Sequence, residues 1–179
     1  MNDYNKIPTY NIMKGQGIIG DLIDKTQKFP GERHIPLISD KGKIRLANWA
    51  GPNTAIDIRL NGSPDIKEPI SAVDRSAMAH DLRYTLAKNT NDIRFADNKM
   101  ISKLNDIERD KQDYRLNIIA VKNAMKSKRF FENVTNKQGE LFSNIKKGET
   151  IDGKLSPEKE LKYNRELRKL EMNGFGLRF

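Results

Sequence analysis

Two histidines occur in the chain, His34 and His80, and only His80 is directly followed by a carboxylate, Asp81. If this stretch is helical, Tyr84 lies one turn further on the same face as His80, while Asp81 points about 100° away. A histidine in such a setting can act as a general base, bind a metal ion, or lie hydrogen-bonded in a core. The His-Asp step alone leaves all three roles open.

Asp97 is the partner that the sequence offers to His80. Apolar residues recur around it at helical spacing: Ile93, Met100, Leu104 and Ile107. A carboxylate in an apolar stripe needs a partner, because an unpaired buried charge is costly. We therefore expect an antiparallel helix to bring His80 to Asp97. Such a pair fixes the tautomer and leaves the other ring nitrogen free to take a proton from water.

The stretch WAGPNT, residues 49–54, is a candidate cation loop. A Gly-Pro turn exposes backbone carbonyl oxygens, which are ligands that a hard cation such as calcium prefers, and Asp81 would add a carboxylate. Turns of this composition are common, so the stretch by itself is a weak signal.

Four longer helices are predicted, so the fold class is mainly α. The first begins at Ser71, with a start of capping-box type formed with Asp74, and continues to about Ala87. The second runs from near Asp92 to about Asp110. The third covers roughly 113–131, and the last begins at Ser156-Pro157. The stripe of the third helix consists of Tyr114, Ile118, Val121 and Met125.

The rest of the chain has weaker patterns. Residues 17–29 predict a short amphipathic helix, and residues 30–70 are rich in Pro, Gly, Asn and Asp, which favours a long loop. The resulting division has five parts: a leader at 1–16 that is removed if the chain is processed, a helix and loop at 17–45, a core at 46–110, an accessory helix and loop at 111–155, and a charged helix and tail at 156–179.

The composition limits the kinds of partner. The formal net charge is +9, which favours polyanions such as an anionic membrane surface or nucleic acid. No cysteine is present, so disulfides and thiolate metal sites are excluded. No apolar run approaches the roughly 18 residues that a membrane span needs.

Taken together, the motifs resemble a known family. The order A-G-P-N-T, D-I-R-L-N-G, P-I-S-A-V-D-R-S-A-M-A-H-D-L-R-Y and F-A-D is similar to the phospholipase A2-like domain of parvovirus minor capsid proteins. The longer loop with Arg59, Leu60 and Gly62 is closer to the densovirus and the adintovirus or polinton-type versions. The resemblance covers roughly residues 46–110. It implies a small phospholipase A2-like core with two antiparallel catalytic helices and a calcium loop.

The resemblance also implies residue roles. His80 would activate the attacking water, with Asp97 as its orienting partner and Tyr84 hydrogen-bonded nearby. Asp81 would bind Ca²⁺, and the loop ligands would be the carbonyls of Trp49, Gly51 and Asn53. Asn53 stands where the family usually has glycine or phenylalanine, and a non-glycine residue there is expected to strain the loop or weaken calcium binding.

A second resemblance concerns the ends of the chain. Met13–Gly17 and Met172–Gly176 both fit the pattern cut by adenovirus-type maturation proteases, which would cleave after Gln16 and Phe175. Flexible glycine turns would produce the same letters.

The implied function is calcium-dependent hydrolysis of the sn-2 ester of membrane phospholipids. The protein would be a virion component that meets capsid proteins and then a host endosomal membrane, preferably an anionic one. Two alternatives remain. One is an inactive capsid or core protein that keeps the fold and binds capsid or nucleic acid. The other is a phosphohydrolase that holds a transition metal with His34 as a further ligand, although an ordinary surface or loop role is expected for His34.

Overall fold

Helices dominate the computed structural model, which describes residues 29, 32–135, 137, 150 and 155–172. In chain order the elements are β1 (Pro36–Ile38), β2 (Ile44–Leu46), α1 (Ile56–Leu60), α2 (Pro64–Lys67), α3 (Ala72–Leu86), α4 (Thr90–Arg109), α5 (Arg115–Val134) and α6 (Pro157–Met172). The predicted mainly α class is confirmed. The expected leader, the helix at 17–29 apart from Phe29, and both protease patterns apart from Met172 lie outside the described residues.

A β-hairpin and two short helices occupy the region predicted as one long loop, so that prediction is wrong. Strands β1 and β2 pair antiparallel, with Leu37 opposite Arg45. Gly42 supplies a positive φ of 72° in the connecting turn, a conformation that costs glycine little. The strands are three residues each, too short for an alternating pattern to be recognised in the sequence.

Helices α3 and α4 form an antiparallel hairpin. Ser71 caps α3 by accepting a hydrogen bond from the Asp74 amide at 3.2 Å. Asn89 and Asp92 form a complete capping box at the start of α4. Contacts between Ser76 and Met100, and then between His80 and Asp97, show that the two helices run in opposite directions. The predicted pairing is confirmed.

Helices α5 and α6 share the core of this hairpin. Ile118 and Val121 of α5 and Tyr163 of α6 belong to the same hydrophobic cluster as Trp49 and Leu82. The placement of Tyr114 in the apolar stripe of α5 is wrong, because Tyr114 precedes the helix and is 45% exposed. Within the described residues no helix is long and apolar enough to cross a bilayer.

Candidate functional site

His80 lies between two carboxylates. Its Nε2 is 2.9 Å from Asp97 Oδ1, and its Nδ1 is 3.5 Å from Asp81 Oδ1. The His80 side chain is 12% exposed and that of Asp97 only 3%. The contact between His80 and Asp97, predicted from the apolar stripe of α4, is therefore confirmed. The Nδ1 edge of the His80 ring faces Asp81.

The Asp97 carboxylate has two further partners. The Tyr84 hydroxyl donates to Oδ1 at 2.7 Å, and its ring lies 4.3 Å from the His80 ring. Lys128 of α5 donates to Oδ2 at 2.5 Å and pairs with Glu132 at 2.8 Å. Asp97 is thus held by both α3 and α5.

Lys128 was missed by the sequence analysis, although a signal was present. Lys128 and Glu132 continue the buried stripe of α5 at helical spacing after Val121 and Met125. Oppositely charged residues four apart on a core-facing stripe indicate a buried ion pair. The partner of that pair, Asp97, lies 31 residues away and is not visible in the local pattern.

The site shifts the acidity of its members. Burial opposes protonation of His80, but the neighbouring Asp81 and Asp97 carboxylates outweigh it and raise the pKa of His80 above 6.5. Burial raises the pKa of Asp97, but the hydrogen bonds and charges of His80 and Lys128 lower it by more. The Asp97 pKa therefore falls below its usual value. Burial also raises the pKa of Asp81. Tyr84, buried beside Asp97, has a raised pKa and stays a hydroxyl donor.

The candidate calcium loop is anchored by Asp74. Asp74 is fully buried, and its carboxylate accepts hydrogen bonds from the amides of Asn48, Trp49 and Ala50 at 2.8–3.0 Å. It also accepts one from Ile70 at 3.0 Å. The capping box predicted between Ser71 and Asp74 is therefore only half formed, because the Asp74 side chain binds the loop instead of the Ser71 amide.

Two loop residues have steric reasons for their identity. A Cβ on Gly51 would lie 2.1 Å from the Arg33 carbonyl oxygen and 2.7 Å from His34 Cα, so only glycine fits. Asn53 has a φ of 64°, in the left-handed region. Asparagine is one of the few non-glycine residues that adopts this region readily. Asn53 is therefore suited to its own backbone conformation, and the strain in the loop is small.

Oxygen atoms of the loop and of α3 converge beside His80. The Thr54 hydroxyl lies 3.3 Å from the Trp49 carbonyl oxygen and 3.2 Å from that of Gly51, and it also contacts Asp81. Asp81 Oδ2 is buried and has no hydrogen-bond partner. Two carbonyls, a hydroxyl and an unsatisfied carboxylate oxygen form a donor set that suits a hard cation. The Asn53 carbonyl stays a predicted ligand.

A cavity of about 470 Å³ opens in front of this group. His80, Asp81 and Tyr84 line it together with loop residues 49–54. The remaining lining is largely apolar and includes Ile35, Ile56, Met100, Val121, Met125 and Phe131. An apolar cavity with a few convergent polar groups is typical of a site for a small amphipathic ligand.

His34 lies in a loop but not on the surface. Its side chain is 4% exposed, and its Nε2 is 3.5 Å from Glu32 Oε2. The expected loop position is confirmed, whereas the alternative of a surface position is wrong. The phosphohydrolase hypothesis needs several His, Asp or Glu side chains around one metal, and among the described residues no group of three is placed to hold one.

No family model, curated protein or solved structure matches the chain. The resemblance to the viral phospholipase A2-like domain therefore stays a prediction from the motifs. The contacts of His80, Asp97 and Asp74 stand independently of it, as properties of this chain.

Proposed function

We propose that this protein is a calcium-dependent, phospholipase A2-like hydrolase that cleaves the sn-2 ester of membrane phospholipids. The observation that carries the proposal is the position of His80, which is paired through Nε2 with Asp97 while its other edge lies beside Asp81 at the cavity. The antiparallel α3–α4 pair and the loop at 49–54 are what a small phospholipase A2-like core requires. The apolar lining of the cavity suits an acyl chain.

His80 is the general base in this proposal. With Nε2–H donating to Asp97 Oδ1, Nδ1 carries the free lone pair. Nδ1 takes a proton from water as the water oxygen attacks the ester carbonyl carbon. The tetrahedral oxyanion then collapses and breaks the bond to the glycerol oxygen, which receives the proton from Nδ1. The products are a fatty acid and a lysophospholipid.

Asp97 acts through His80, and Tyr84 acts through Asp97. The Asp97 carboxylate stabilises the imidazolium that forms, and the Tyr84 hydroxyl holds that carboxylate in place. Ca²⁺ would be held by Asp81 and the carbonyls of Trp49, Gly51 and Asn53, and when bound it supplies positive charge to the ester carbonyl oxygen. Gly51 would add its amide as a donor to the same oxygen.

The biological setting is part of the proposal. A virion component of this kind would be packaged with capsid proteins and would open a host endosomal membrane as the virus enters the cell. The net charge of +9 supports contact with anionic lipid. It also supports the alternative, an inactive capsid or core protein that binds nucleic acid. The two differ in whether phospholipid is hydrolysed.

The test is release of fatty acid from phospholipid vesicles by the purified chain, with calcium and with a chelator. We expect hydrolysis only with calcium, and a loss of about 10²–10⁴-fold in His80→Asn, since a general base contributes that much. Asp106→Asn, on the exposed side of α4, is the matched control and should keep full activity. Intact fold is checked by circular dichroism.

Absence of hydrolysis in calcium by the correctly folded wild-type chain would overturn the proposal and favour the inactive alternative. Full activity of His80→Asn would show that another group is the base. Salt-sensitive DNA binding without hydrolysis would support the alternative directly.

A further inference from the structure

Helix α5 has two apolar faces. The inner face packs on the core through Ile118, Val121 and Met125. The outer face carries large apolar side chains that are exposed to different degrees: Leu116 69%, Ile119 41%, Phe130 64%, Phe131 57% and Val134 68%. Exposed apolar surface of this extent on one helix marks an interaction site.

The outer face continues into the mouth of the candidate active site. Phe131 lines the cavity while more than half of its surface remains exposed. The Phe130 ring packs edge to face against the Phe131 ring, with 5.9 Å between the ring centroids. Ala124 and Ser127, on the same side of the helix as Phe131, also line the cavity. The apolar face and the cavity rim are therefore one continuous surface.

Charge is confined to one edge of this face. With 3.6 residues per turn, the positions between the large apolar residues are Ala120, Asn123 and Ser127, all uncharged. Lys126 and Arg129 lie along one border, on the side of α4, where Arg129 contacts Asn98. A helix with an apolar face and a basic border is suited to the interface of an anionic bilayer.

We propose that the outer face of α5, defined as Leu116, Ile119, Phe130, Phe131 and Val134, docks on the surface of an anionic phospholipid bilayer. This inference rests on the proposed function, because it assigns the surface through which lipid reaches that site. Phe131 lines the cavity that is proposed to bind the acyl chain. Docking by α5 places that rim against the lipid, and the basic border and the net charge of +9 complement anionic headgroups.

The experiment is cosedimentation of the full chain with vesicles, either phosphatidylcholine alone or phosphatidylcholine mixed with phosphatidylserine, in chelator so that no lipid is cleaved. The variant is Phe130→Ser with Val134→Ser, which leaves the cavity lining intact. The matched control is Ile44→Ser with Leu161→Ser, two exposed apolar residues on other elements. We expect the α5 variant to lose binding by at least about tenfold, since each buried apolar side chain adds that order of affinity. The control should bind as wild type.

Two further arms separate this proposal from the proposed function. His80→Asn should bind vesicles as wild type, so binding can succeed even if hydrolysis fails. Lys126→Glu should weaken binding to the phosphatidylserine vesicles more than to phosphatidylcholine. Hydrolysis of a dispersed short-chain lipid should be unchanged in the Phe130/Val134 variant, because that substrate needs no docking.

Four results would overturn the inference. Two of them, counted together as the first kind, are wild-type binding by the Phe130/Val134 variant and no vesicle binding by the wild type. The second is a change of the variant from dimer to monomer in solution, which would make the face a contact between copies of this chain. The third is a large loss of unfolding free energy in the variant, which would show that the chain itself covers the face.

Discussion

At the scale of single residues, the most informative group is the Asp97 carboxylate. It accepts from Tyr84 and Lys128 and pairs with His80, and it is almost fully buried. A cationic partner on a buried carboxylate offsets part of its negative charge, so the carboxylate favours the protonated imidazole less strongly than it would alone. Lys128 therefore acts as a positioning residue that limits how strongly Asp97 raises the pKa of His80.

Substitution of Lys128 by Met should move the pH dependence of hydrolysis. The base must be neutral, so the rate rises with pH through the His80 pKa. Without the Lys128 cation the imidazolium is stabilised further, and the rise shifts to higher pH. The profile of kcat/KM from about pH 5 to 9 measures this. Lys122→Met, which removes a different ion pair of α5, the one with Glu108, is the control.

An unchanged or lower midpoint in Lys128→Met would contradict this role. The variant also leaves Glu132 buried without its cation, which destabilises the fold by about 3–5 kcal/mol. The double variant with Glu132→Gln removes that second charge. It should recover part of the stability while keeping the shifted pH profile.

At the scale of elements, the loop at 49–54 is positioned by a side chain of α3. Asp74 accepts four backbone N–H groups from residues 48–50 and 70, so the start of α3 and the beginning of the candidate calcium loop form one hydrogen-bonded unit. Six residues further along α3, His80 and Asp81 face the same cavity. The distance between loop and base is thus set by one helix.

Asp74→Asn should disrupt this unit. The amide nitrogen would face backbone donors and leave some of them buried without an acceptor, at about 1–3 kcal/mol for each such group. We expect a loss of at least about 3 kcal/mol in urea unfolding and a matching loss of calcium-dependent hydrolysis. Asp92→Asn, which weakens only the cap of α4, should cost about 1 kcal/mol and keep activity. Equal losses in the two variants would contradict the anchoring role.

At the scale of the whole molecule, a buried ion pair joins the segment before β1 to α1. Glu32 accepts from Arg59 at 2.5 and 2.9 Å and from the Ala55 amide at 2.8 Å. Arg59 donates in addition to the Ile66 carbonyl at 3.0 Å. Both side chains are at most 2% exposed, so the pair holds the N-terminal part of the described chain against the helical body.

Acid should release this contact. Burial raises the Glu32 pKa, but the nearby His34 ring and the hydrogen bonds from Arg59 and the Ala55 amide outweigh it and lower the pKa from 4.5 to about 2. A carboxylate with a lowered folded pKa stabilises the fold above pH 4.5, and that contribution is lost as pH falls towards 2. The loss is about 3 kcal/mol.

Urea unfolding at pH 7, 4.5, 3 and about 2 measures this contribution. Glu32→Gln should be less stable at neutral pH, because Arg59 is left buried without its partner, and its stability should fall less steeply below pH 4.5. Glu68→Gln, an exposed change, should retain the wild-type slope. A Glu32→Gln slope equal to that of wild type would contradict the assignment.

Much of this architecture is determined by the sequence itself. The helices at 72–86, 90–109, 115–134 and 157–172 follow from apolar periodicity and from caps, which act within one or two turns. The contact between His80 and Asp97 followed from a carboxylate in an apolar stripe, since burial of a charge demands a partner. That is a rule that the sequence alone can express.

Only the tertiary structure decided the other partners. The Asp74 carboxylate binds loop amides instead of completing the cap of its own helix. Lys128, on a third helix, donates a hydrogen bond to Asp97, and His34 is buried beside Glu32. The short hairpin and the exposed outer face of α5 were not predicted from the sequence either. In each case the outcome depends on which surfaces meet when distant elements dock, and no local pattern carries that information. The sequence alone determined the helices and one partner of His80, whereas docking decided what surrounds them.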